Sequence, residues 1–317
     1  MKKCLIYFEF PEAYIIQLKQ IANQFEFISC SDESELREYL SDMEILFTFM
    51  AKFDAKLLAL APNLKWIQAI TAGVDNLPLK EIKERGIILT NVRGVHKIHM
   101  AEYAIAAMIN LARNFHVMHR NQAKGKWDRT MPQTEIYGRV VGIVGLGSIG
   151  KEIAKKASFF GMRVIGVQKE PQAVEHVDRV YGPEEMEAVF KESDYVINLL
   201  PLTEDTKGII DKRYFGSMKA TACFINIGRG PTVNQTDLVE ALKAKRIAGL
   251  VADVYEEEPL PEDSALWKLE NVILTPHIAG VSPHYMKRAM EIMQHNLKAY
   301  VHKSGEMMNV TDFIKAY

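Results

Sequence analysis

Three residues whose side chains suit proton transfer and carboxylate binding stand at the ends of successive strand-like runs in the second half of this chain. Arg229 follows "FINIG", Glu258 follows "LVADVYEE" and His277 follows "VILTP". Imidazole titrates near neutral pH and can give or take a proton. A carboxylate beside it favours the charged ring, and a guanidinium offers a planar fork of donors to an anion. Taken singly, each has a plainer account: Glu258 in "EEEP" as a solvated loop acid, Arg229 beside glycine as a turn residue, His277 after proline as the end of a strand. Position joins them. In doubly wound α/β folds, ligands bind beyond the carboxyl ends of the strands, so all three can face one crevice. His96 and His99 in "GVHKIHMAEY" have no such placement; His96 is expected near the cleft, and neither is assigned to catalysis.

A second stretch, "GLGSIG" at 145–150, carries a different chemistry. A lone glycine turn says little, but here the strand-like "VVGIV" enters it and the amphipathic "KEIAKKASFFG" leaves it, with Gly161 as the stop. In that setting Gly145 makes a tight turn, Gly147 lets the backbone approach a pyrophosphate, and Gly150 lets helix and strand pack closely. The phosphates then sit on the helix N-terminus, at Ser148 and Ile149. A transferase using S-adenosylmethionine also places a glycine-rich loop after its first strand, so the loop alone does not name the ligand.

These residues need two sets of elements to position them. At 317 residues and 48% hydrophobic content the chain exceeds the size of one ordinary core, and two domains are expected. Up to about residue 95, the short apolar runs at 4–8, 25–29, 45–49, 66–70 and 87–90 alternate with helical patterns, which implies parallel pairing. "IHMAEYAIAAMINLAR", 98–113, is apolar around most of its circumference and should be buried on several sides, as at a domain or subunit boundary. After the polar loop "AKGKWDRTMPQTEIYG" the alternation restarts with "RVVGIVGLGSIG", and it continues through "DYVINLL", "ACFINIG", "IAGLVADV" and "NVILTPH". The segment from Pro283 onward is helical and expected to return to the first domain.

Bulk properties narrow the partners. The 39 basic and 40 acidic residues nearly cancel and form no long basic run, so no nucleic-acid partner is expected. Cys4, Cys30 and Cys223 are scattered without metal-ligand spacing, which suits a reducing cytoplasm with no disulfide and no metal site. The apolar run in "MKKCLIYFEF" is too short for a signal peptide and reads as a buried strand, and nothing approaches the roughly 18 apolar residues of a membrane span.

Several motifs in order now resemble one family. "GLGSIG" is similar to the cofactor loop of the D-isomer-specific 2-hydroxyacid dehydrogenases. "SDYVINLLPLTEDTKGII" and "MKATACFINIGRGPTVNQTDLVEAL" resemble its second and third signatures, and "DVYEEEPL" and "TPHIAG" resemble its glutamate and histidine segments. The resemblance covers nearly the whole chain. It implies a catalytic Arg, Glu and His at Arg229, Glu258 and His277, reducing a small 2-oxo acid such as glyoxylate or hydroxypyruvate to the D-2-hydroxy acid with NAD(P)H. His277 would be the proton donor and acceptor, Glu258 would hold its ring, and Arg229 would bind the substrate carboxylate. Cofactor contacts are implied at Pro201 and Thr203, and Asp253 resembles the residue that holds the nicotinamide carboxamide. "TAGVDNLP" resembles the substrate loop, where the amides of Gly73 and Val74 would bind the carboxylate; Met50, Ala51 and Lys52 are weaker candidates for the wall that senses the substrate's side chain.

The resemblance implies two Rossmann-like α/β domains with parallel sheets and a cleft between them. Residues 1–97 and 286–317 would form the substrate domain, with the dinucleotide-binding domain of 98–285 inserted. It also implies a homodimer, no membrane contact, and no room for the regulatory domain of long phosphoglycerate dehydrogenases, while a short phosphoglycerate dehydrogenase fits. The family's NAD users carry Asp at the end of the second strand of the cofactor domain. Here that place holds Gln168, followed by Lys169, and a neutral side chain plus a cation favour the 2′-phosphate of NADPH over NADH, whereas Glu170, next in line, recovers the acid if the strand end is shifted by two residues. Two alternatives stay open: a nicotinamide-sensing, corepressor-like binding module on the same fold, and the S-adenosylmethionine transferase.

Overall fold

The computed structural model describes residues 2–49, 53–74, 77–311 and 313, so the candidates Met50, Ala51 and Lys52 lie outside the described residues. The chain divides into two compact units, one of residues 1–95 with 283–317, the other of residues 96–282.

The first unit holds β1 (Lys2–Tyr7), β2 (Phe25–Cys30), β3 (Met43–Thr48), β4 (Trp66–Ala69) and β5 (Ile88–Thr90), with α1 (Glu12–Ile21), α2 (Glu33–Tyr39), α3 (Ala55–Ala59) and α4 (Leu79–Glu84) between them. All pairings are parallel and the strand order is β2-β1-β3-β4-β5. The apolar start of the chain is therefore a strand, with Cys4, Leu5 and Ile6 fully buried. Every residue of β3 is buried, as expected of a central parallel strand with helices on both faces. Asp32 and Asp54 cap α2 and α3, accepting from the Glu35 and Leu57 amides.

The C-terminal helix, Tyr285–His302, joins this unit through buried polar bonds as well as apolar ones. Asn296, fully buried, donates to Gln68 Oε1 at 2.9 Å and accepts from the Met308 amide at 2.6 Å. Gln68 Oε1 in turn accepts from Thr90 Oγ1 at 2.8 Å. The return of the chain end is thus held by a satisfied network, which a slipped register would leave unpaired.

The second unit opens with α5 (Lys97–Ala112) and α6 (Phe115–Ala123). Then come β6 (Val140–Val144), α7 (Ser148–Phe159), β7 (Arg163–Val167), β8 (Arg179–Tyr181), α8 (Met186–Glu192), β9 (Tyr195–Asn198), α9 (Lys212–Ser217), β10 (Cys223–Asn226), α10 (Gln235–Lys243), β11 (Gly249–Ala252) and β12 (Val272–Leu274). The sheet is parallel throughout, in the order β12-β11-β10-β9-β6-β7-β8. Helix α5 packs on α7 and buries Met100, Ala101, Ala104, Ile105, Ala107, Met108 and Ala112, as its apolar circumference requires.

The register positions the site. Leu274, Ala252, Asn226, Asn198, Val144 and Val167 are successive partners across the sheet, so six strands end level with one another. The strand order reverses at β6, which has β7 on one side and β9 on the other, and a crevice opens at such a reversal.

Candidate active site

Each sequence-derived candidate of the second unit lies just past that level row of strand ends. Gly145 to Gly150 follow β6, Gln168 and Lys169 follow β7, and Pro201 and Thr203 lie beyond β9. Arg229 follows β10, Asp253 and Glu258 follow β11, and His277 follows β12.

The glycine loop has the geometry a pyrophosphate needs. Gly145 sits at φ +111°, where a side chain would be strained. Its amide and that of Leu146 both donate to the Val167 carbonyl, at 3.2 and 3.0 Å, which closes the turn. Nothing lies within 4 Å of where a Cβ on Gly147 would stand, so that backbone face is open. A Cβ on Gly150 would strike the Gly145 carbonyl and come within 3.1 Å of Ile143 Cγ2, so glycine there permits the close approach of helix to strand. Helix α7 has Gly147 as its N-cap and no acid in its first turn, which leaves the Ser148 and Ile149 amides and the positive helix end for an anion. These residues fit a dinucleotide cofactor.

At the adenosine end, Gln168 donates its amide to the Tyr181 carbonyl at 3.1 Å. Its side-chain Oε1 is buried and has no hydrogen-bond partner among the described residues. Lys169 is exposed. Pro201 and Thr203 are exposed in a loop tied by Thr206 Oγ1, which donates to the Pro201 carbonyl at 2.6 Å.

The expected His277–Glu258 contact is formed. His277 Nδ1 lies 2.7 Å from Glu258 Oε2, with about half of the imidazole exposed. A carboxylate only accepts, so Nδ1 carries the hydrogen, and Nε2 is the atom left to exchange a proton. The other carboxylate oxygen, Oε1, accepts from the Tyr255 amide at 3.0 Å, which fixes the acid. His277 itself adopts φ 53°, the left-handed region that non-glycine residues seldom enter.

Arg229 is exposed and anchored at its base. Its Nη1 donates to the Gly228 carbonyl at 2.9 Å, and among the described residues it pairs with no carboxylate. Its own carbonyl accepts from Thr232 Oγ1 at 2.6 Å, and Thr232 Oγ1 accepts from the buried Asn198 Nδ2 at 2.8 Å. A Cβ on Gly230 would overlap the backbone of Tyr255, so only glycine lets the Arg229 loop lie against the loop that leads to Glu258.

Asp253 is buried, and its carboxylate serves the histidine segment. Oδ1 accepts from Thr275 Oγ1 at 2.6 Å and from the Ile278 amide at 2.8 Å, Oδ2 accepts from the Ala279 amide at 2.8 Å, and the Asp253 carbonyl accepts from the His277 amide at 2.9 Å. Oδ2 keeps acceptor capacity for a further donor. Thr275, Tyr255 and Tyr103 stand outside the sequence-derived candidates, and their hydroxyls bond within this cluster. Nothing in composition or spacing marks them; the Tyr103 hydroxyl and its partner Thr275 are 172 residues apart. His96 is half-buried, and its imidazole is pushed down to about 4 by burial first and then by the His99 ring, with the Arg229 charge contributing and the Gly280 carbonyl opposing.

In the first unit, Gly73 and Val74 lie in the loop after β4, where Thr71 Oγ1 donates to the Gly73 carbonyl at 2.6 Å. Among the described residues neither amide donates a backbone hydrogen bond. Among the described residues, no group of three His, Cys, Asp or Glu could hold a metal, and no helix is long and apolar enough to cross a membrane.

A doubly wound parallel sheet with a glycine-lined phosphate turn, and an acid-supported histidine and an arginine past the same row of strand ends, points to a nicotinamide-dependent oxidoreductase acting on an anionic substrate. Comparison with known proteins gives the family. Residues 105–279 match the family described as "D-isomer specific 2-hydroxyacid dehydrogenase, NAD binding domain". A glyoxylate reductase of Korarchaeum cryptofilum is 36% identical over 304 residues, covering 92% of this chain and 90% of that protein. A D-isomer specific 2-hydroxyacid dehydrogenase family protein of Aeromonas salmonicida superposes with a TM-score of 0.86 at 30% identity, covering 98% of this chain and 99% of that one. An NADPH-dependent glyoxylate/hydroxypyruvate reductase of Sinorhizobium meliloti, solved with NADP and sulfate, gives a TM-score of 0.83 at 25% identity over the whole of both chains. The chain belongs to the D-isomer-specific 2-hydroxyacid dehydrogenase family, and it is an NAD(P)-dependent enzyme that interconverts 2-oxo and 2-hydroxy acids. Neither the transferase nor the corepressor-like alternative gains support from these findings.

Proposed function

We propose that this protein reduces a small 2-oxo acid, with glyoxylate or hydroxypyruvate as the preferred class, to the D-2-hydroxy acid, and uses NADPH in preference to NADH. The observation that carries the mechanism is the 2.7 Å bond from His277 Nδ1 to Glu258. It fixes the ring so that Nε2 faces the carbonyl oxygen, and Glu258 sustains the positive charge of the protonated ring. Arg229 takes the substrate carboxylate in its fork and polarises the neighbouring carbonyl; in the first unit the Gly73 and Val74 amides are candidate donors to a carboxylate. When bound, the reduced nicotinamide supplies the hydride for the carbonyl carbon. As that carbon is reduced, the oxygen gains negative charge and takes the proton from His277 Nε2. Gly145, Gly147, Ser148, Ile149 and Gly150 hold the pyrophosphate, Pro201 and Thr203 line the path to the nicotinamide, and Asp253 Oδ2 is an acceptor for its carboxamide.

The NADPH preference rests on Gln168 and Lys169, which replace a carboxylate with an amide and a cation. A panel of 2-oxo acids, followed by nicotinamide absorbance with each cofactor, tests substrate and cofactor together. Turnover of none of the small 2-oxo acids, or a higher kcat/KM with NADH, counts against the corresponding half of this reading.

A homodimer in a reducing cytoplasm completes the proposal. Trp127, Tyr137, Phe115 and Met118, in and after α6, are large exposed apolar side chains, and Trp127 is 90% exposed. All three cysteines are buried free thiols. Sedimentation showing a monomer at micromolar concentration would remove the dimer.

A further inference from the structure

We propose that helix α5 is a positioning element for the proton donor: His99 and Tyr103, one turn apart on its face, hold the two ends of the segment 275–280 that carries His277. The inference rests on the reading of His277 as the proton donor, and concerns what keeps that side chain in place.

At the first end, the Tyr103 hydroxyl lies 2.6 Å from Thr275 Oγ1, and Thr275 Oγ1 lies 2.6 Å from Asp253 Oδ1. A hydroxyl has one hydrogen and a carboxylate only accepts, so the Thr275 hydrogen goes to Asp253. Tyr103 is then the donor to Thr275, and the chain runs in one direction, from helix to carboxylate. The phenol keeps its proton: burial pushes it up to about 12, with the Asp253 charge adding and the Thr275 bond opposing. At the other end, His99 Nε2 lies 3.0 Å from the Gly280 carbonyl. A carbonyl only accepts, so this nitrogen carries the hydrogen, and the His96 ring, 3.4 Å from it, also bonds the Gly280 backbone.

Between these anchors stands His277 at φ 53°. A non-glycine residue in that region is strained and persists only where its surroundings over-determine it. Asp253 supplies part of that determination through Thr275, Ile278 and Ala279. Helix α5 supplies the rest, by orienting Thr275 and by holding Gly280. Residues at i and i+4 share a helix face, and the rigidity of a 16-residue helix packed on α7 is thereby passed to a loop. Neither His99 nor Tyr103 is placed at the reacting atoms, so their effect on turnover must pass through His277.

That dependence is the test, on the full chain with glyoxylate and NADPH. Tyr103→Phe and His99→Leu are each expected to lower kcat about 3- to 10-fold, the worth of one hydrogen bond, while KM for glyoxylate stays within about twofold. His99→Gln, whose amide nitrogen reaches about as far as Nε2, is expected to recover most of the kcat that His99→Leu loses. In a His277→Asn background, Tyr103→Phe and His99→Leu are expected to lower kcat no further. Unchanged kcat in both single variants, an equal loss with and without His277, or a Gln variant no better than Leu overturns the inference. Near-normal turnover in His277→Asn alone instead removes the proton donor itself, which separates the failure of that reading from the failure of this one.

Discussion

His277→Asn is the most direct perturbation of the chemistry, and the structure makes it a clean one. The backbone at 277 is left-handed at φ 53°, and asparagine is among the residues that enter that region most readily. Its amide nitrogen falls near the position of Nδ1, so donation to Glu258 Oε2, now 2.7 Å, can be kept. The His277 amide bond to the Asp253 carbonyl does not involve the side chain. What disappears is Nε2 and with it the proton. Loss of a general acid raises the barrier by about 3–5 kcal/mol, which is roughly a 10²- to 10⁴-fold fall in turnover. The assay is steady-state kcat with glyoxylate and NADPH, alongside NADPH binding by quenching of protein fluorescence and a thermal melt. Binding and melt should match the unmodified protein while kcat falls. A kcat within a few fold of normal refutes the assignment of His277, and a lost melt or lost NADPH binding refutes the reasoning that the loop tolerates asparagine.

Arg229→Lys keeps the charge and loses the fork, so kcat and substrate affinity should both fall while NADPH binding is nearly unchanged; selective loss of NADPH binding would place Arg229 on the phosphates instead. Gln168→Asp should shift the preference toward NADH by repelling the 2′-phosphate. If Lys169→Ala leaves the KM for NADPH unchanged, Lys169 does not read that phosphate. The depressed His96 imidazole gives a pH signature: between about 6.5 and about 4 the unfolded chain binds a proton that the folded chain refuses, so stability falls as pH drops through that window. The contribution is at most about 3 kcal/mol. His96→Gln should flatten the melting temperature against pH between 6.5 and 4, and superimposable curves would show that another group is responsible.

The elements that carry chemistry were legible because parallel sheets place it in a regular way. A strand-like run followed by Arg, Glu or His is a local pattern, and the level register of β10, β11 and β12 turns three local patterns into one row. The glycine loop was legible for a similar reason, since each glycine meets a local demand of turn, approach or packing. What holds the row in place was not legible. Tyr103 and Thr275 are 172 residues apart, and His99 and Gly280 are 181 apart. A tyrosine and a histidine on an apolar helix look like core and boundary residues until their partners are known.

Asp253 shows the same limit from the other side. Resemblance gave it a role toward the nicotinamide, and the structure shows three protein donors on its carboxylate before any ligand arrives. Buried carboxylate oxygens need hydrogen-bond donors, and here they come from the very segment that bears His277. On the proposed roles the two demands meet in one residue: the carboxylate offered to the cofactor is bonded by the backbone that carries the proton donor. Changing Asp253 should consequently disturb proton transfer and cofactor binding together, whereas Tyr103 and His99 reach only the first. Separating those two effects is what makes the residues of α5 more informative probes of His277 than the carboxylate beside it.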